Sequence, residues 1–292
     1  MTFADASTMS LPAPAKLNLF LHVTGRRADG YHELESVFVP IDLADRVELT
    51  RRDDGLIRLL DPPADLDPTT ELCCRAAREL QRASGTGNGV EIRLHKRIPV
   101  GSGLGGGSSD AATTLLGLNR LWRLHWPRER LQRLALRVGA DVPFFVFGEA
   151  SFVRGIGEAL QAVTLPSTHF VLAFPGSGVA TADVFRDPAL SRSTPGTASG
   201  ALAMGHGRND LQPVAERLEP AIAAVRAAMA GCGGGLDPPR MTGSGAAVFA
   251  RAHHRREAER IADQLRHDGW QAWAVRSLAR HPLRAFGDAA TI

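Results

Sequence analysis

A glycine-rich stretch, PVGSGLGGGSSDAATTLLG at positions 99–117, constrains the fold of this chain more than any other part of the sequence. Five glycines fall within seven residues, and a run of Ala, Thr and Leu typical of a helix follows them directly. Glycine adopts the backbone conformations that tight loops need, and the free N–H groups at a helix start bind anions. The stretch therefore predicts an anion-binding loop that leads into a helix over about residues 109–121.

Two common anion-binding loops do not fit the residues around these glycines. Gly101, Gly103 and Gly106 satisfy the GxGxxG pattern of dinucleotide-binding folds. That fold requires a strand after the helix, whereas a second helix is predicted over 127–138. A Walker A loop requires a lysine after the last glycine, and the sequence has none there. Two interpretations remain: a loop whose N–H groups and serine pair hold a polyphosphate and its metal ion, or a structural turn with serine caps.

The length and composition are those of a globular protein with two modest domains. We expect a strand-rich domain over 1–165 and an α+β domain over 166–292.

A signal peptide is not evident, and no run approaches the roughly 18 apolar residues of a membrane span. The three cysteines lack CxxC spacing, which favours reduced thiols and a cytoplasmic location. The net charge of +3 suits either an anionic small molecule or a nucleic acid as the ligand and does not distinguish between them.

Lysine is nearly absent from this chain, since only Lys16 and Lys96 occur among 34 basic residues. Lysine carries a compact ammonium that the forked guanidinium of arginine cannot replace, so we expect both lysines to be functional. Residues 15–23 alternate as in a strand, which places Asn18 and Phe20 on the same face as Lys16. A solvent-exposed strand edge is the alternative for Lys16.

Three further motifs have both a structural and a functional interpretation. Asp141 in GADVPFF is either the N-cap of a helix or a general base. Tyr31 and His32 are either packed in a hairpin or part of a rim that stacks on a planar ring. The turn at Gly243 and Gly245 either approaches a ligand closely or is only a turn. The histidines show no metal-ligand spacing.

The motifs together resemble those of the GHMP kinase superfamily. The stretches PVGSGLGGGSSDAA and MTGSGAAVF are similar to its phosphate loop and its late glycine turn. PAKLNLFLHVTGRRADGYHELESVF and GADVPFFVFG resemble one branch, which acts on a cytidine-diphosphate-linked polyol. The resemblance covers nearly the whole chain. It implies a two-domain α+β fold, with an ATP-binding N-terminal domain like ribosomal protein S5 domain 2 and a ferredoxin-like C-terminal domain.

The resemblance also implies a reaction. ATP, with Mg²⁺, would phosphorylate the 2-hydroxyl of 4-diphosphocytidyl-2-C-methyl-D-erythritol, a step of the non-mevalonate route to isoprenoids. Asp141 would accept the hydroxyl proton, and Lys16 would be its charged partner. The ligands of the metal ion remain unknown. We expect no nucleic-acid or membrane partner, and a monomer or weak homodimer.

The binding residues follow from the same resemblance. Lys96 would lie near the adenine of ATP, and the glycine loop would wrap the triphosphate. This set comprises Lys96, Pro99, Val100, Gly101, Ser102, Gly103, Leu104, Gly105, Gly106, Gly107, Ser108 and Ser109. On the substrate side, Tyr31 and Phe185 would sandwich the cytosine and His32 would read its polar edge. That set comprises Asn18, Tyr31, His32, Phe38, Ile156, Thr181 and Phe185.

One residue departs from the family pattern. Glu71 stands where the family commonly has Asn, and an acidic side chain does not suit a phosphate, so Glu71 is left out of the site.

Two other functions are alternatives to this kinase activity. The first is that of another GHMP kinase, acting on homoserine, mevalonate or a sugar. The second is an RNA-binding module, but the arginines are scattered among apolar and acidic residues rather than forming one basic face. Residues 187–208 are predicted to form a loop.

Apolar spacing also predicts further elements along the chain. Helices are predicted over about 70–83, 210–230 and 255–267, and strands are predicted at 90–94, 169–176, 246–251 and 270–277.

Overall fold

A computed structural model describes residues 7–62, 71–196 and 207–288 of the chain. The first part of the chain forms a six-stranded sheet in which β1 pairs with β2 and the remaining order is β3-β4-β2-β5-β6. All pairs are antiparallel except β3 with β4. The strands are β1 (Thr8–Arg26), β2 (His32–Arg52), β3 (Ile57–Leu60), β4 (Gly89–His95), β5 (Ser151–Gly155) and β6 (Ala159–Ala162).

Four helices accompany this sheet, and they are α1 (Leu72–Ser84), α2 (Gly106–Leu121), α3 (Arg128–Val138) and α4 (Val142–Phe147). The predictions for α1, α2 and α3 are confirmed. Helix α2 begins three residues earlier than predicted, because Gly105 is in the left-handed region at φ 72° and the helical backbone starts directly after it. Helix α4 was indicated only by the N-cap interpretation of Asp141 and not by apolar spacing. It has six residues, with a proline in its first turn, and is too short to show a helical period.

The second part of the chain forms a four-stranded sheet of order β10-β7-β9-β8. Its strands are β7 (His169–Phe174), β8 (Arg240–Met241), β9 (Val248–Ala252) and β10 (Gln271–Arg276). Its helices are α5 (Thr181–Arg186), α6 (Gln212–Leu218), α7 (Ala221–Gly231) and α8 (Arg255–His267). Apart from α5 and α6, which precede α7, the succession β7-α7-β8-β9-α8-β10 is the βαββαβ order of ferredoxin-like folds. A single helix predicted near 210–230 is divided, because Glu219 is extended and proline follows it.

The long β1–β2 hairpin joins the two halves. Leu17 and Val39 from this hairpin share one buried apolar cluster with Leu172 and Val248 of the second sheet. A second cluster lies between the first sheet and helices α1 to α4. The two halves therefore share apolar packing rather than only a linker. Among the described residues, no helix is long and apolar enough to cross a membrane.

The predicted alternation along β1 is wrong beyond Asn18. The register between β1 and β2 shifts between Asn18 and Leu21, as at a β-bulge. Phe20 consequently packs with Val37 and Phe152 on the other face of the sheet, and Leu21 lines the same cavity as Lys16 and Asn18. Lys16 and Asn18 themselves project side by side, as predicted, and Lys16 is not at a solvent-exposed edge.

Candidate active site

The glycine loop owes its path to three left-handed backbone positions. Gly101, Gly103 and Gly105 have φ angles of 70°, 78° and 72°, a region that other residues adopt only with strain. Helix α2 starts immediately afterwards, so the N–H groups of its first turn have no intrahelical partner and remain for an anion. The loop therefore has the geometry of an anion-binding helix start.

The late glycine turn supports this loop through the backbone. The N–H of Ala246 donates to Gly101 O at 3.2 Å, and that of Ala247 donates to Ser102 O at 2.9 Å. A Cβ on Gly103 would lie 2.4 Å from the carbonyl oxygen of Thr242. The turn, whose two interpretations the sequence left open, thus packs against the glycine loop, and its Gly243–Gly245 segment also lines a cavity.

The loop separates two cavities of similar size. The first cavity, of about 400 Å³, is lined by Glu71, Leu72, Leu94, Lys96, Ile98, the loop residues 99–103 and 105–108, and Asp110. The second cavity, of about 390 Å³, includes Lys16, Asn18, Phe38, Asp141, Ile156, Thr181, Phe185 and residues 243–245. Gly101, Gly103, Gly105 and Ser108 border both cavities. A molecule in one cavity and a molecule in the other would therefore approach each other at the loop.

Lys16 and Asp141 form an ion pair on the wall of the second cavity. The Nζ atom of Lys16 lies 3.4 Å from Oδ2 of Asp141. The lysine side chain is only 4% exposed, whereas that of Asp141 is 34% exposed. Nζ also donates to Asn18 Oδ1 at 2.6 Å and lies 4.2 Å from the centre of the Phe38 ring. The ammonium is thus fixed from three sides, and the carboxylate remains accessible from the cavity.

The local structure around Asp141 leaves its carboxylate available. Asp141 occupies the N-cap position of α4, but its side chain makes no capping hydrogen bond. Its backbone is helical, with φ −84° and ψ −15°, unlike the extended backbone of most N-cap residues. The N-cap interpretation therefore describes the position of Asp141 along the chain and leaves its carboxylate facing Lys16.

Asn18 connects the ion pair to the rest of the site. Its side-chain NH₂ donates to Ser36 Oγ at 3.0 Å, and its backbone N–H donates to Thr242 Oγ1 at 2.8 Å. Because the NH₂ group of Asn18 faces Ser36, the amide oxygen is the atom that faces Lys16 and accepts from its Nζ. The hydroxyl of Thr242 thus links the N-terminal strand to the late glycine turn.

The second lysine of the chain lies in the first cavity between two carboxylates. Lys96 Nζ is paired with Oδ2 of Asp45 and with Oδ2 of Asp110, the latter at 2.5 Å. Asp45 also accepts from the N–H of Arg97 at 2.5 Å and of Ile98 at 2.8 Å. Burial, opposed by Lys96 and reinforced by the Asp45 charge, raises the pKa of Asp110 to about 7. Asp45 and Asp110 thereby anchor Lys96 just before the glycine loop.

Glu71, which the sequence analysis left out of the site, lines the first cavity. Its Oε2 accepts the backbone N–H of Cys74 at 3.0 Å and so caps helix α1. The residue is 7% exposed and borders the same cavity as Lys96. A helix-capping role accounts for an acidic residue here, because a carboxylate at a helix start is favourable.

The residues assigned to the substrate side fall into two groups. Asn18, Phe38, Ile156, Thr181 and Phe185 all line the second cavity. The hydroxyl of Thr181 is hydrogen-bonded to that of Ser244 at 2.7 Å, which ties α5 to the late glycine turn.

Tyr31 directly precedes β2 and His32 is its first residue, and neither lines the second cavity. The His32 ring stacks on Phe185, with centroids 5.1 Å apart and planes inclined by 30°. Tyr31 is 61% exposed, so it is not packed in a hairpin. The structure thus places His32, rather than Tyr31, against Phe185.

Sequence reasoning missed three residues that shape the site, namely Asp45, Arg192 and Thr242. Asp45 and Thr242 come from distant segments, and no spacing links them to Lys96 or Asn18. Arg192 lies in the predicted 187–208 loop, where it bonds to His32. Residues 197–206 of that loop lie outside the described residues.

A glycine loop at a helix start, a Lys–Asp ion pair beside it with a buried ammonium and an accessible carboxylate, and a ferredoxin-like second sheet define a kinase of the GHMP class. The profile of the GHMP kinases N terminal domain matches residues 71–149, and that of the GHMP kinases C terminal domain matches residues 190–269.

Individual relatives show to which branch of the GHMP kinases the chain belongs. The chain is 50% identical to 4-diphosphocytidyl-2-C-methyl-D-erythritol kinase of Burkholderia thailandensis, over 98% of this chain and 99% of that one. A Burkholderia pseudomallei protein with the same name is 48% identical over the same shares. A crystal structure of 4-(cytidine 5'-diphospho)-2C-methyl-D-erythritol kinase matches with TM-score 0.79 and 40% identity, over 92% of this chain and 99% of that one. The chain belongs to the 4-diphosphocytidyl-2-C-methyl-D-erythritol kinase family of GHMP kinases.

A more distant structure shows how widely the fold is shared. Homoserine kinase from Cytophaga hutchinsonii matches with TM-score 0.69 at 18% identity, over 96% of this chain and 98% of that one. The two-domain α+β fold that the sequence resemblance implied is therefore confirmed.

Proposed function

We propose that this chain is an ATP-dependent kinase that phosphorylates the 2-hydroxyl of 4-diphosphocytidyl-2-C-methyl-D-erythritol. The Lys16–Asp141 pair carries the proposal, because it places an accessible carboxylate beside a buried ammonium where two cavities meet at the glycine loop. The names of relatives that are 50% and 48% identical support the same substrate.

The proton of the attacking hydroxyl would go to Asp141. An alcohol is a weak nucleophile at neutral pH, and a carboxylate within hydrogen-bond reach removes its proton as the new bond forms. The ammonium of Lys16, 3.4 Å from Oδ2, would stabilise negative charge that develops in the transition state. Phosphoryl transfer otherwise requires mainly positioning and charge stabilisation.

ATP would occupy the first cavity, with its phosphates at the loop. The free N–H groups of residues 106–108 would hold the phosphate oxygens, as at other helix starts. The apolar side chains of Leu72, Leu94 and Ile98 and the ammonium of Lys96 would contact the base. The cytidine-linked substrate would occupy the second cavity, with its base near Phe185 and His32, and the exposed ring of Tyr31 would stack on that base.

The metal ion of this reaction is proposed to be Mg²⁺. Among the described residues, no cluster of three His, Cys, Asp or Glu side chains is arranged to hold a metal. That arrangement fits Mg²⁺, which proteins hold through substrate phosphates and only one or two side chains. The hydroxyl of Ser109 is buried beside the loop without a hydrogen-bond partner, so it suits one ligand position. When bound, Mg²⁺ would neutralise charge on the phosphates.

Two further assignments accompany the function. We propose the domain boundary between residues 165 and 166, because β6 of the first sheet ends at Ala162 and β7 of the second begins at His169. We also propose a cytoplasmic monomer or weak homodimer, in keeping with three free cysteines.

The experiment that tests the function is ADP release from Mg²⁺-ATP with four alcohols: the cytidine-linked substrate, homoserine, mevalonate and galactose. We expect turnover of the cytidine substrate alone. Asp141→Asn should lower kcat by about 10²- to 10⁴-fold, the usual contribution of a general base. Asp263→Asn, an exposed helix residue far along the chain, is the matched control and should retain activity.

Each other outcome has a defined meaning. Turnover of another alcohol instead would assign the chain to a different GHMP kinase activity. Turnover of the cytidine substrate that survives Asp141→Asn would keep the kinase and exclude Asp141 as the base. Absence of ADP release with every alcohol would overturn the proposal.

A further inference from the structure

Arg192 holds together two segments that border the second cavity. Its Nε donates to Nε2 of His32 at 3.1 Å. One terminal nitrogen donates to the carbonyls of Phe185 at 3.1 Å and Asp187 at 2.8 Å, and the other donates to that of Leu190 at 3.0 Å. The guanidinium thus binds the end of α5 and the chain after it, and reaches across to the first residue of β2.

This contact determines which nitrogen of His32 carries the proton. A guanidinium only donates hydrogen bonds and stays charged, so Nε2 of His32 must accept. A neutral imidazole that accepts at Nε2 carries its proton on Nδ1. Burial, followed by the charges of Arg192 and Arg26, lowers the pKa of His32, so the ring remains neutral near pH 7. His32 therefore presents Nδ1–H as a fixed donor.

The His32 ring packs against the wall of the second cavity, where the base is proposed to bind. The His32 ring stacks on Phe185 at 5.1 Å, and Phe185 lines the second cavity with Asn18 and Thr181. Two faces of the same pyrimidine site thus depend on Arg192, which bonds to the imidazole of His32 and to the backbone of Phe185.

We propose that Arg192 is a positioning residue that fixes His32 as a hydrogen-bond donor and thereby makes the pocket select cytosine over uracil. This inference rests on the proposed function, which puts a cytidine diphosphate group in the second cavity. The N3 atom of cytosine accepts a hydrogen bond, whereas N3–H of uracil donates one. A fixed Nδ1–H can donate a hydrogen bond to N3 of cytosine. Facing N3–H of uracil, it would leave both donors without an acceptor.

Without Arg192, the imidazole would be free to exchange its tautomer. A neutral ring with its proton on Nε2 would present Nδ1 as an acceptor, which pairs with N3–H of uracil. Loss of the arginine should therefore reduce discrimination between the two bases more than it reduces affinity for either. A residue that only held the fold together would weaken both ligands in parallel.

The test measures the dissociation constants of CDP and UDP by calorimetry for three proteins. The wild type should bind CDP about 10- to 100-fold more tightly than UDP, the scale of one matched against one opposed buried hydrogen bond. In Arg192→Met the ratio should fall below about threefold. Arg186→Met, which removes a 79% exposed arginine from the same segment, is the matched control and should keep the wild-type ratio.

Nitrogen-15 NMR of the His32 side chain provides a second readout that does not need a ligand. The wild type should show a protonated Nδ1 and an unprotonated Nε2, and Arg192→Met should show a mixture of tautomers. A folded Arg192→Met protein with an unchanged CDP to UDP ratio would overturn the inference. So would a wild-type ring protonated on Nε2.

The ADP-release assay separates this inference from the proposed function. A wild type that turns over the cytidine substrate but does not discriminate CDP from UDP overturns the role of Arg192 alone. A wild type that releases no ADP and binds neither nucleotide overturns both.

Discussion

Lys16 is buried and Asp141 is open to the cavity, although the two side chains face each other across 3.4 Å. The strand that carries Lys16 and the short helix that follows Asp141 belong to opposite ends of the first domain's sequence. Asn18 and the Phe38 ring hold the ammonium from the protein side. The ion pair thus directs its accessible half toward the second cavity.

Lys16→Arg should inactivate the enzyme without unfolding it. The ammonium is enclosed by Asn18, Phe38 and the loop, since a Cβ on Gly105 would lie only 3.2 Å from the Lys16 side chain. A guanidinium is wider and needs a longer reach, so it would displace the carboxylate. We expect kcat to fall about 100-fold, as for a displacement of about 1 Å.

The measurement is ADP release together with a thermal unfolding curve. Arg255→Lys, at an exposed position on α8, is the reverse substitution and should be neutral. Full activity in Lys16→Arg would show that a compact ammonium is not required.

Gly103→Ala should damage both the phosphate loop and the contact between the domains. The added methyl group would lie 2.4 Å from the carbonyl oxygen of Thr242, and φ is 78°. Strain in the left-handed region costs about 1–2 kcal/mol, and the clash adds to it. We expect the free energy of unfolding to fall by at least about 2 kcal/mol and the KM for ATP to rise.

Gly87→Ala serves as the control, because nothing lies within 4 Å of a Cβ there. Urea unfolding should show a change within about 0.5 kcal/mol for that variant. Equal stability of the two variants would mean that the loop adjusts freely around Gly103.

Lys96→Met should be strongly destabilising, because it leaves two buried carboxylates without their counter-ion. The side chains of Asp45 and Asp110 are 0% and 1% exposed. Removing one partner of a buried ion pair costs about 3–5 kcal/mol. The double variant Lys96→Met with Asp110→Asn should recover part of that loss, since it removes one of the unpaired charges.

Urea unfolding of the wild type, Asp110→Asn, Lys96→Met and the double variant completes this cycle. Additive losses would contradict the coupling between Lys96 and Asp110. The same proteins should show a higher KM for ATP whenever Lys96 is absent.

The buried His281 should lower the free energy of unfolding of the wild type as the pH falls below about 6.5. Burial, reinforced by Arg128, lowers the pKa of His281 to about 3 in the folded protein, against about 6.5 when unfolded. The unfolded chain thus binds the additional proton below pH 6.5. The stability from this group is complete above that pH and declines toward pH 3, by up to about 1.4 kcal/mol per unit.

His281→Asn tests this slope. Nδ1 of His281 accepts the backbone N–H of Leu283 at 3.1 Å, and the amide oxygen of Asn can replace it without titrating. Between pH 7 and 5, unfolding free energy should fall about 2 kcal/mol less in the variant than in the wild type. The raised pKa of Asp110 makes the free energy of unfolding rise as the pH falls, and it does so equally in the wild type and in His281→Asn. Parallel pH profiles would show that His281 is not the titrating group.

Local patterns predicted the elements that have a clear period or a clear cap. Helices α1, α3 and α8 and the strands around 90–94 and 169–174 follow from apolar spacing, with glycine and proline at the ends. The six-residue helix α5 was missed, and α4 was indicated only by the N-cap interpretation of Asp141, because less than two turns cannot show a 3.6-residue period. The bulge after Asn18 was missed as well, because a shift of register depends on the partner strand.

The sequence by itself determined the anion-binding loop, the neighbouring placement of Lys16 and Asn18, and, through its resemblance to a family, the kinase fold. Each of these is encoded within a short segment, because φ preferences and strand alternation act over neighbouring residues. Tertiary structure decided that Asp141 faces Lys16, that Asp45 and Asp110 enclose Lys96, and that Arg192 bonds to His32. Those contacts join residues far apart along the chain, and only the packing of the two sheets and their helices brings them within hydrogen-bond distance.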